Sequence, residues 1–223
     1  FVKEGGKQAA LVGIPLGNLN AGYTNTVEGW KPGQVQPYRY DKHHLVPFGE
    51  FIPPMFRWFT DLMNIPLGDF NRGALGQASM SWAGERLSPN ICYEDLFGEE
   101  LAAHFGSAST APTVLVNLSN IGWFGDSVAI DQHLNISRMR ALEFERPMLR
   151  ATNTGATVVI DHKARVVSAL APFERAVLSA RVQGREGMTP YARWVHALGL
   201  VPLTLLCLLI CGVAWLGARR MRG

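Results

Sequence analysis

Cys92 is the residue whose type and setting best suit covalent chemistry. It stands in SPNICYEDLFGEE, residues 88–100, between an apolar run typical of a buried strand and a segment typical of a helix start. A helix N-terminus and a nearby ammonium group favour the thiolate, and a thiolate can carry an acyl group as a thioester. A cysteine at a strand end is more often a packing residue. The polar CYED sequence weakens that alternative without removing it.

The segment DKHHLVPFGE, residues 41–50, supplies a second set of polar side chains. Lys42 ends a predicted strand, and Glu50 follows a Pro-Phe-Gly turn. A lysine beside a thiolate favours the charged sulfur and can stabilise the oxyanion of a tetrahedral intermediate. The alternative is a solvated lysine in a surface loop, and spacing alone does not decide between the two.

The histidines form no metal-binding pattern. His43 and His44 are adjacent, so their side chains diverge, whereas His104 and His133 are isolated in the sequence. There is neither an H-E-x-x-H motif nor a zinc-type set of cysteines, so we expect no metal and no cofactor. A couple between Cys92 and a histidine stays open, with no particular histidine selected.

Apolar runs of strand length alternate with helical patterns along the chain, which indicates an α/β fold with buried sheets. The predicted strands are a buried one at 9–16, two that flank the KPGQ turn between 23 and 42, others at 79–82, 86–91, 113–118 and within 148–169, and an edge strand at 175–182. The predicted helices are 55–64, a helix capped by Asp95 that runs to about residue 105, and 127–146, which Pro147 ends.

The segment WVHALGLVPLTLLCLLICGVAWL, residues 194–216, contains no Asp, Glu, Lys or Arg. As a helix it spans about 34 Å, enough to cross a hydrocarbon core of about 30 Å. We therefore predict a membrane helix, the alternative being a buried helix of a soluble core. The arginines of the tail 217–223 favour a cytoplasmic C-terminus and place the preceding residues on the opposite side.

The composition excludes other classes of protein. The net charge is only +3, and no basic patch with interleaved aromatic residues is visible, so nucleic-acid binding is not expected. Two of the three cysteines lie in the apolar segment 194–216, which rules out a disulfide framework. The chain starts at Phe1 without a signal-peptide pattern, and we expect it to be the C-terminal part of a longer protein.

Four segments, taken together and in order, resemble the apolipoprotein N-acyltransferase family of bacterial inner-membrane enzymes, within the nitrilase or carbon–nitrogen hydrolase superfamily. They are YRYDKHHLVPFGEFIP, SPNICYEDLF, LVNLSNIGWFGDS and QHLNISRMRALEFERPMLRATNTGATVVID. The resemblance runs from about residue 9 to the apolar segment. It implies a four-layer α-β-β-α sandwich over residues 1–190, incomplete at its N-terminus, then one transmembrane helix at 194–216 and a basic cytoplasmic tail at 217–223.

The resemblance also implies roles for individual residues. Cys92 matches the nucleophile that forms an acyl thioester, and Lys42 matches the lysine that stabilises the tetrahedral intermediate. Glu50 matches a glutamate that the family needs, which we expect to orient Lys42 or the amine. Tyr93 and Glu94 match the two residues after the nucleophile, which also matter for activity.

The activity implied is N-acyl transfer in lipoprotein maturation. An acyl chain, expected from phosphatidylethanolamine, passes to Cys92 and then to the N-terminal amine of a diacylglyceryl-cysteine apolipoprotein. The catalytic domain is expected on the periplasmic face of the inner membrane, with Trp123 and Phe124 near a lipid-facing cleft. Two alternatives stay open: a membrane-tethered nitrilase-type amidase, and a non-catalytic anchored domain that keeps the fold.

One departure from the family pattern concerns the general base. The superfamily's glutamate precedes the lysine in a Pro-Glu motif, but Glu4 and Glu28, the glutamates before Lys42, stand in no such motif. We therefore expect the base to precede Phe1 and the 223-residue chain alone to be inactive.

Overall fold

The structure is a computed structural model and describes residues 6–18, 20–56 and 69–220. The strands of these residues are β1 Ala10–Asn18, β2 Gly22–Trp30, β3 Tyr38–Asp41, β4 Met80–Trp82, β5 Glu85–Ile91, β6 Val114–Ser119, β7 Met148–Thr152, β8 Val158–Ile160 and β9 Val166–Ala169. The α-helices are α1 Gly98–Ala102, α2 Ala129–Phe144, α3 Pro190–Leu198 and α4 Val201–Arg220, and short 3-10 helices occupy Pro54–Phe56, Cys92–Leu96 and Gly122–Phe124.

The larger sheet is mixed and has the strand order β4-β5-β6-β7-β8-β9. Its centre is parallel, because β6 pairs in parallel with both β5 and β7, and the outer pairs are antiparallel. Strand β6 is buried along almost its whole length, as expected of an apolar run at the centre of a sheet covered on both faces. The carboxyl ends of β5 and β6 therefore lie at the same edge of the sheet.

The smaller sheet consists of the antiparallel strands β1-β2-β3 and packs on one face of the larger sheet. Val27 and Tyr40 from the smaller sheet meet Ile91 from β5 in a buried cluster between the two, and Leu118 of β6 packs against it. Close approach is required here, because a Cβ on Gly29 would lie 2.4 Å from the sulfur of Met80.

Helices α1, α2 and α3 cover the opposite face of the larger sheet. Their apolar side chains form the main core, which includes Leu101, Phe105, Phe144 and Val195, and Leu115 reaches it from β6. Successive strand residues alternate between faces, so Leu115 points to the helices and Leu118 to the smaller sheet. The described residues thus give a helix–sheet–sheet arrangement, and the prediction of an α/β fold is confirmed.

Most predicted strands are present, with two corrections. Residues 9–16 lie in β1, but they are not buried: Val12 and Ile14 are 48% and 39% exposed, because only the inner face of the smaller sheet meets the larger one. Residues 175–182 form no strand, since this extended segment runs outside both ladders.

The predicted helices need corrections as well. The helix at 127–146 is confirmed with narrower bounds, as α2. Asp95 does not cap a helix, because it lies buried within the 3-10 helix and its carboxylate binds other side chains, while Phe97 precedes α1. Most of the predicted helix 55–64 lies outside the described residues.

The C-terminal apolar segment is divided between two helices. Residues 194–198 belong to α3, whose Ala192 and Val195 are buried in the core, so the predicted start of the membrane helix at Trp194 is too early. Gly199 breaks the chain direction with a φ of 57°, a conformation that favours glycine. Among the described residues, one helix, Val201–Arg219, is long and apolar enough to cross a membrane, and none of it is buried by the rest of the chain.

His104 gives the fold a pH-dependent contribution to stability. Its ring is half-buried after α1, and Nδ1 lies 2.8 Å from the carbonyl oxygen of Gln77. Burial lowers the pKa of His104 below its ordinary value, and the neighbouring His43 lowers it further. The imidazole therefore stays neutral in the folded protein at pH values where the unfolded chain binds a proton.

We expect the free energy of unfolding to fall as the pH drops below about 6.5, the ordinary histidine pKa, because only the unfolded state takes up this proton. The slope contributed by His104 is at most about 1.4 kcal/mol per pH unit. The variant His104→Asn keeps a donor near the Nδ1 position but does not titrate. Denaturant unfolding at pH 7 and pH 5 should show a smaller pH effect in this variant, and an equal effect in both proteins would contradict the assignment.

Candidate active site

Cys92 occupies a strained turn at the carboxyl end of β5. Its φ is 55°, a left-handed conformation that costs a non-glycine residue about 1–2 kcal/mol. The carbonyl oxygen of Cys92 accepts hydrogen bonds from Asn117 Nδ2 at 2.8 Å and from His133 Nε2 at 3.2 Å. The cysteine is half-buried and packs against the cluster between the two sheets. A short 3-10 helix follows, so the dipole of a long helix does not act on this turn.

Lys42 follows β3, and its backbone is held on both sides. Its N–H donates to the Asn25 carbonyl and its own carbonyl accepts from Gly73 N–H, both at 2.8 Å. The side chain is 1% exposed, and Nζ lies 2.9 and 2.8 Å from the two carboxylate oxygens of Glu50. Glu50 also accepts hydrogen bonds from the Asn25 amide and from Val46 N–H. The alternative of a solvated surface lysine is therefore wrong.

Tyr93 connects the lysine with the cysteine turn. Lys42 Nζ lies 5.3 Å from the centroid of the Tyr93 ring, within the range of a cation–π contact. The Tyr93 hydroxyl donates to the Leu45 carbonyl at 2.9 Å. Burial, reinforced by the nearby Glu50 carboxylate, raises the pKa of Tyr93 to about 12, so the phenol remains a donor at neutral pH.

Glu94 ties the Lys42 loop to the Cys92 turn. One carboxylate oxygen accepts from the N–H groups of His43 and His44 at 2.7 and 3.1 Å. The other accepts from Ile91 N–H at 2.6 Å and from the Tyr40 hydroxyl at 2.9 Å. Burial raises the pKa of Glu94 above its ordinary value, and the three N–H groups and the tyrosine hydroxyl oppose this shift.

Comparison with known protein families identifies the family to which this domain belongs. The family model described as carbon-nitrogen hydrolase matches residues 17–191. The chain belongs to the carbon–nitrogen hydrolase family. Solved structures of this superfamily share the fold. A carbon–nitrogen hydrolase from Helicobacter pylori has a TM-score of 0.56 at 14% identity, covering 76% of this chain and 60% of that one. An amidase from Nesterenkonia has a TM-score of 0.57 at 17% identity, covering 84% of this chain and 64% of that one.

Curated relatives of higher identity carry one name. An apolipoprotein N-acyltransferase of Verminephrobacter eiseniae is 64% identical over 203 residues, which cover 87% of this chain and 38% of the relative. One of Ralstonia nicotianae is 53% identical, with coverage of 90% and 39%. The chain thus spans about two-fifths of the length of these relatives. The family implies the nitrilase-like α/β architecture that the mixed sheet, the antiparallel sheet and their helices display.

The five residues that the sequence analysis selected fall into one connected set in this carbon–nitrogen hydrolase domain. Cys92, Tyr93 and Glu94 are consecutive, Glu94 and Tyr93 bind the loop after Lys42, and Glu50 pairs with Lys42. Their roles in a reaction stay a proposal.

The sequence analysis missed the residues beneath the cysteine. His133 is the histidine that reaches Cys92, and it contacts the carbonyl oxygen of the cysteine. Asn117, Asp95 and Arg150 complete the set. No local spacing signals it, because Asp95 and His133 are 38 positions apart and Asp95 and Arg150 are 55 apart. Within the described parts of the chain, no group of three or more His, Cys, Asp or Glu side chains is arranged to hold a metal ion.

An exposed aromatic turn follows β6 at the same sheet edge as Cys92. It is the 3-10 helix Gly122–Phe124, in which Trp123 and Phe124 are 80% and 59% exposed. Asn153 holds the turn by accepting from the N–H groups of Ile121 and Gly122. The hydrogen-bonded turn thus exposes two large apolar side chains at the protein surface.

Glu94→Gln should lower the free energy of unfolding by about 2–4 kcal/mol, since a buried bonded charge is lost and an amide NH₂ then faces two donors. Glu99→Gln is the matched control, because Glu99 lies in α1 and is not among the buried carboxylates. We expect this control to stay within about 0.5 kcal/mol of the wild type. Denaturant unfolding of the three proteins in detergent measures both changes. An equal loss of unfolding free energy in the two variants would contradict the stabilising role that we assign to the four hydrogen bonds to Glu94.

Proposed function

We propose that this protein is an N-acyltransferase that moves a phospholipid acyl chain, through a thioester on Cys92, to the N-terminal amine of a diacylglyceryl-cysteine apolipoprotein. The observation that carries the proposal is the buried Lys42–Glu50 pair, fixed against the turn that bears Cys92. The name that the relatives at 64% and 53% identity share, apolipoprotein N-acyltransferase, supports the choice of substrates.

The first half-reaction would load the cysteine. The Cys92 thiol gives its proton to a general base and attacks the ester carbonyl of the donor, so that the C–S bond forms. The C–O bond then breaks, and the base returns the proton to the leaving oxygen to release a lysophospholipid alcohol. The negative charge that develops on the carbonyl oxygen needs donors, and Lys42 supplies an ammonium held by Glu50. The planar trans peptide also turns the Tyr93 N–H away from the clamped Cys92 carbonyl, so it serves as a second donor.

The second half-reaction would unload the thioester. The acceptor amine attacks the thioester carbonyl, the amide bond forms, the C–S bond breaks, and the amine loses a proton to a general base. Glu28 does not supply this base. It follows the inward-facing Val27 in β2, so its side chain lies on the face of the smaller sheet that points away from the larger sheet, where it accepts a hydrogen bond from Trp30.

Both substrates are lipid-embedded, and the exposed apolar features suit this requirement. Helix α4 would anchor the domain to the bacterial inner membrane, and Trp123 and Phe124 would meet the lipid surface next to the Cys92 edge. The arginines of residues 217–223 support a cytoplasmic C-terminus and a periplasmic catalytic domain. Phosphatidylethanolamine is the proposed donor.

The experiment is an intact-mass measurement of the full-length protein incubated with phosphatidylethanolamine in detergent. We expect an acyl adduct that maps to Cys92, is absent in Cys92→Ala, and is discharged by a diacylglyceryl-cysteine peptide to give an N-acylated product. Cys207→Ala is the control, because this cysteine lies in α4. Transfer that persists in Cys92→Ala overturns the proposal. Release of free fatty acid in place of the N-acylated peptide would instead identify a hydrolase.

A further inference from the structure

A buried network lies beneath the turn that bears Cys92 and supplies none of the reacting groups described above. It consists of Asp95, His133, Ser137 and Arg150, all buried. His133 Nε2 lies 2.8 Å from Asp95 Oδ1, and the other Asp95 oxygen accepts from the Ser137 hydroxyl and faces Arg150 Nη1 at 3.5 Å. Three elements contribute to it: the turn after β5, helix α2 and strand β7.

Arg150 determines which nitrogen of His133 carries the proton. The guanidinium has only donors, and its Nη2 lies 3.3 Å from His133 Nδ1, so Nδ1 must accept. The neutral ring therefore holds its hydrogen on Nε2. That N–H points at both Asp95 Oδ1 and the carbonyl oxygen of Cys92, at 2.8 and 3.2 Å.

The charges within the network compensate each other. Burial lowers the pKa of Arg150, while the Asp95 carboxylate and the nearby Cys92 oppose this shift. Arg150 also donates to the carbonyl oxygens of Ala156 and His133, which fixes its plane. The Asp95–Arg150 ion pair needs no histidine to be satisfied in the core. Here His133 connects Asp95 to the backbone carbonyl of Cys92.

We propose that His133, oriented by Asp95 and Arg150, is a positioning residue that fixes the peptide plane between Cys92 and Tyr93. Together with Asn117 it holds the Cys92 carbonyl on the buried side. It thereby maintains the left-handed turn and directs the Tyr93 N–H to the opposite side, where the oxyanion would form. This inference rests on the proposed role of Cys92 as the nucleophile.

The expected consequence is a loss of rate without a loss of substrate binding. Without the His133 bond, the strained peptide can rotate, and misplacement of a reacting group by about 1 Å can cost up to about 100-fold in rate. His133→Leu removes the donor. His133→Gln restores an N–H at a similar distance from the backbone and should recover much of the rate.

The test is single-turnover formation of the Cys92 acyl adduct in the full-length protein at saturating phosphatidylethanolamine. His133→Leu should form the adduct about 10- to 100-fold more slowly than wild type, with the same half-saturating lipid concentration, and His133→Gln should fall between the two. Phe144→Leu is the stability control: Phe144 lies on the same helix but stacks on Phe105 in the main core, at 4.5 Å between ring centroids. Thermal unfolding of all variants is recorded in parallel.

The outcomes separate this inference from the proposed function. If the wild type forms the adduct and His133→Leu loads as fast as Phe144→Leu, the positioning role is overturned while the proposed function stands. If His133→Gln forms the adduct as slowly as His133→Leu while both variants unfold near the wild-type temperature, the hydrogen bond to the Cys92 carbonyl is not what His133 contributes. The inference then also fails. A wild type that forms no adduct on Cys92 overturns both.

Discussion

The four hydrogen bonds to the buried Glu94 carboxylate are the interaction on which the site depends. They join two segments far apart in the sequence, the loop after β3 and the turn after β5, and those segments carry Lys42 and Cys92. A carboxylate suits this position because it accepts several hydrogen bonds at once, and each donor would otherwise be buried without a partner. Those bonds offset only part of the cost of burying the charge, because the pKa of Glu94 remains raised.

The two sheets explain why such a tie is needed. Lys42 follows a strand of the smaller sheet and Cys92 follows a strand of the larger one, so their relative position depends on how the sheets pack. Apolar contacts such as Val27 on Ile91 hold the sheets together but fix distances loosely, because apolar packing is non-directional. The hydrogen bonds to Glu94 and the Lys42–Glu50 ion pair are directional, and they fix the distance between the two segments more closely. Burying the charged Lys42 and holding Cys92 at a positive φ both cost folding free energy, so stability alone does not favour this arrangement.

The sequence predicts the fold wherever burial alone determines the structure. The run at 113–118 is largely apolar and forms the central strand β6, whereas in 86–91, which forms β5, Leu87, Pro89 and Ile91 alternate with Arg86, Ser88 and Asn90. The alternation at 175–182 is misleading for a physical reason. Leu178, Ala180 and Val182 do line an apolar cavity next to the larger sheet, but alternation reports this one-sided contact and not hydrogen bonding to a neighbouring strand.

The limits of sequence analysis are clearest where tertiary contacts decide. Trp194 and Val195 look like part of a membrane helix because apolar residues suit lipid and core equally, whereas the structure packs both on the core. The resemblance to a family identifies Cys92 and Lys42, yet their local spacing does not distinguish them from packing or surface residues. His133 carries no signal at all, since its partners come from other elements of the fold.

We infer that Glu94 acts on Cys92 through the Lys42 loop, and a double-mutant cycle on cysteine reactivity tests this coupling. The measured quantity is the alkylation rate of Cys92 by iodoacetamide at neutral pH, mapped by peptide mass spectrometry to separate it from Cys207 and Cys211. The wild type, Glu94→Gln, Lys42→Met and the double variant are compared. We predict that Glu94→Gln slows alkylation in the wild type and has little further effect in Lys42→Met. An equal fold-reduction of the alkylation rate in the wild-type and Lys42→Met backgrounds would contradict this coupling, because Glu94 would then act independently of the lysine.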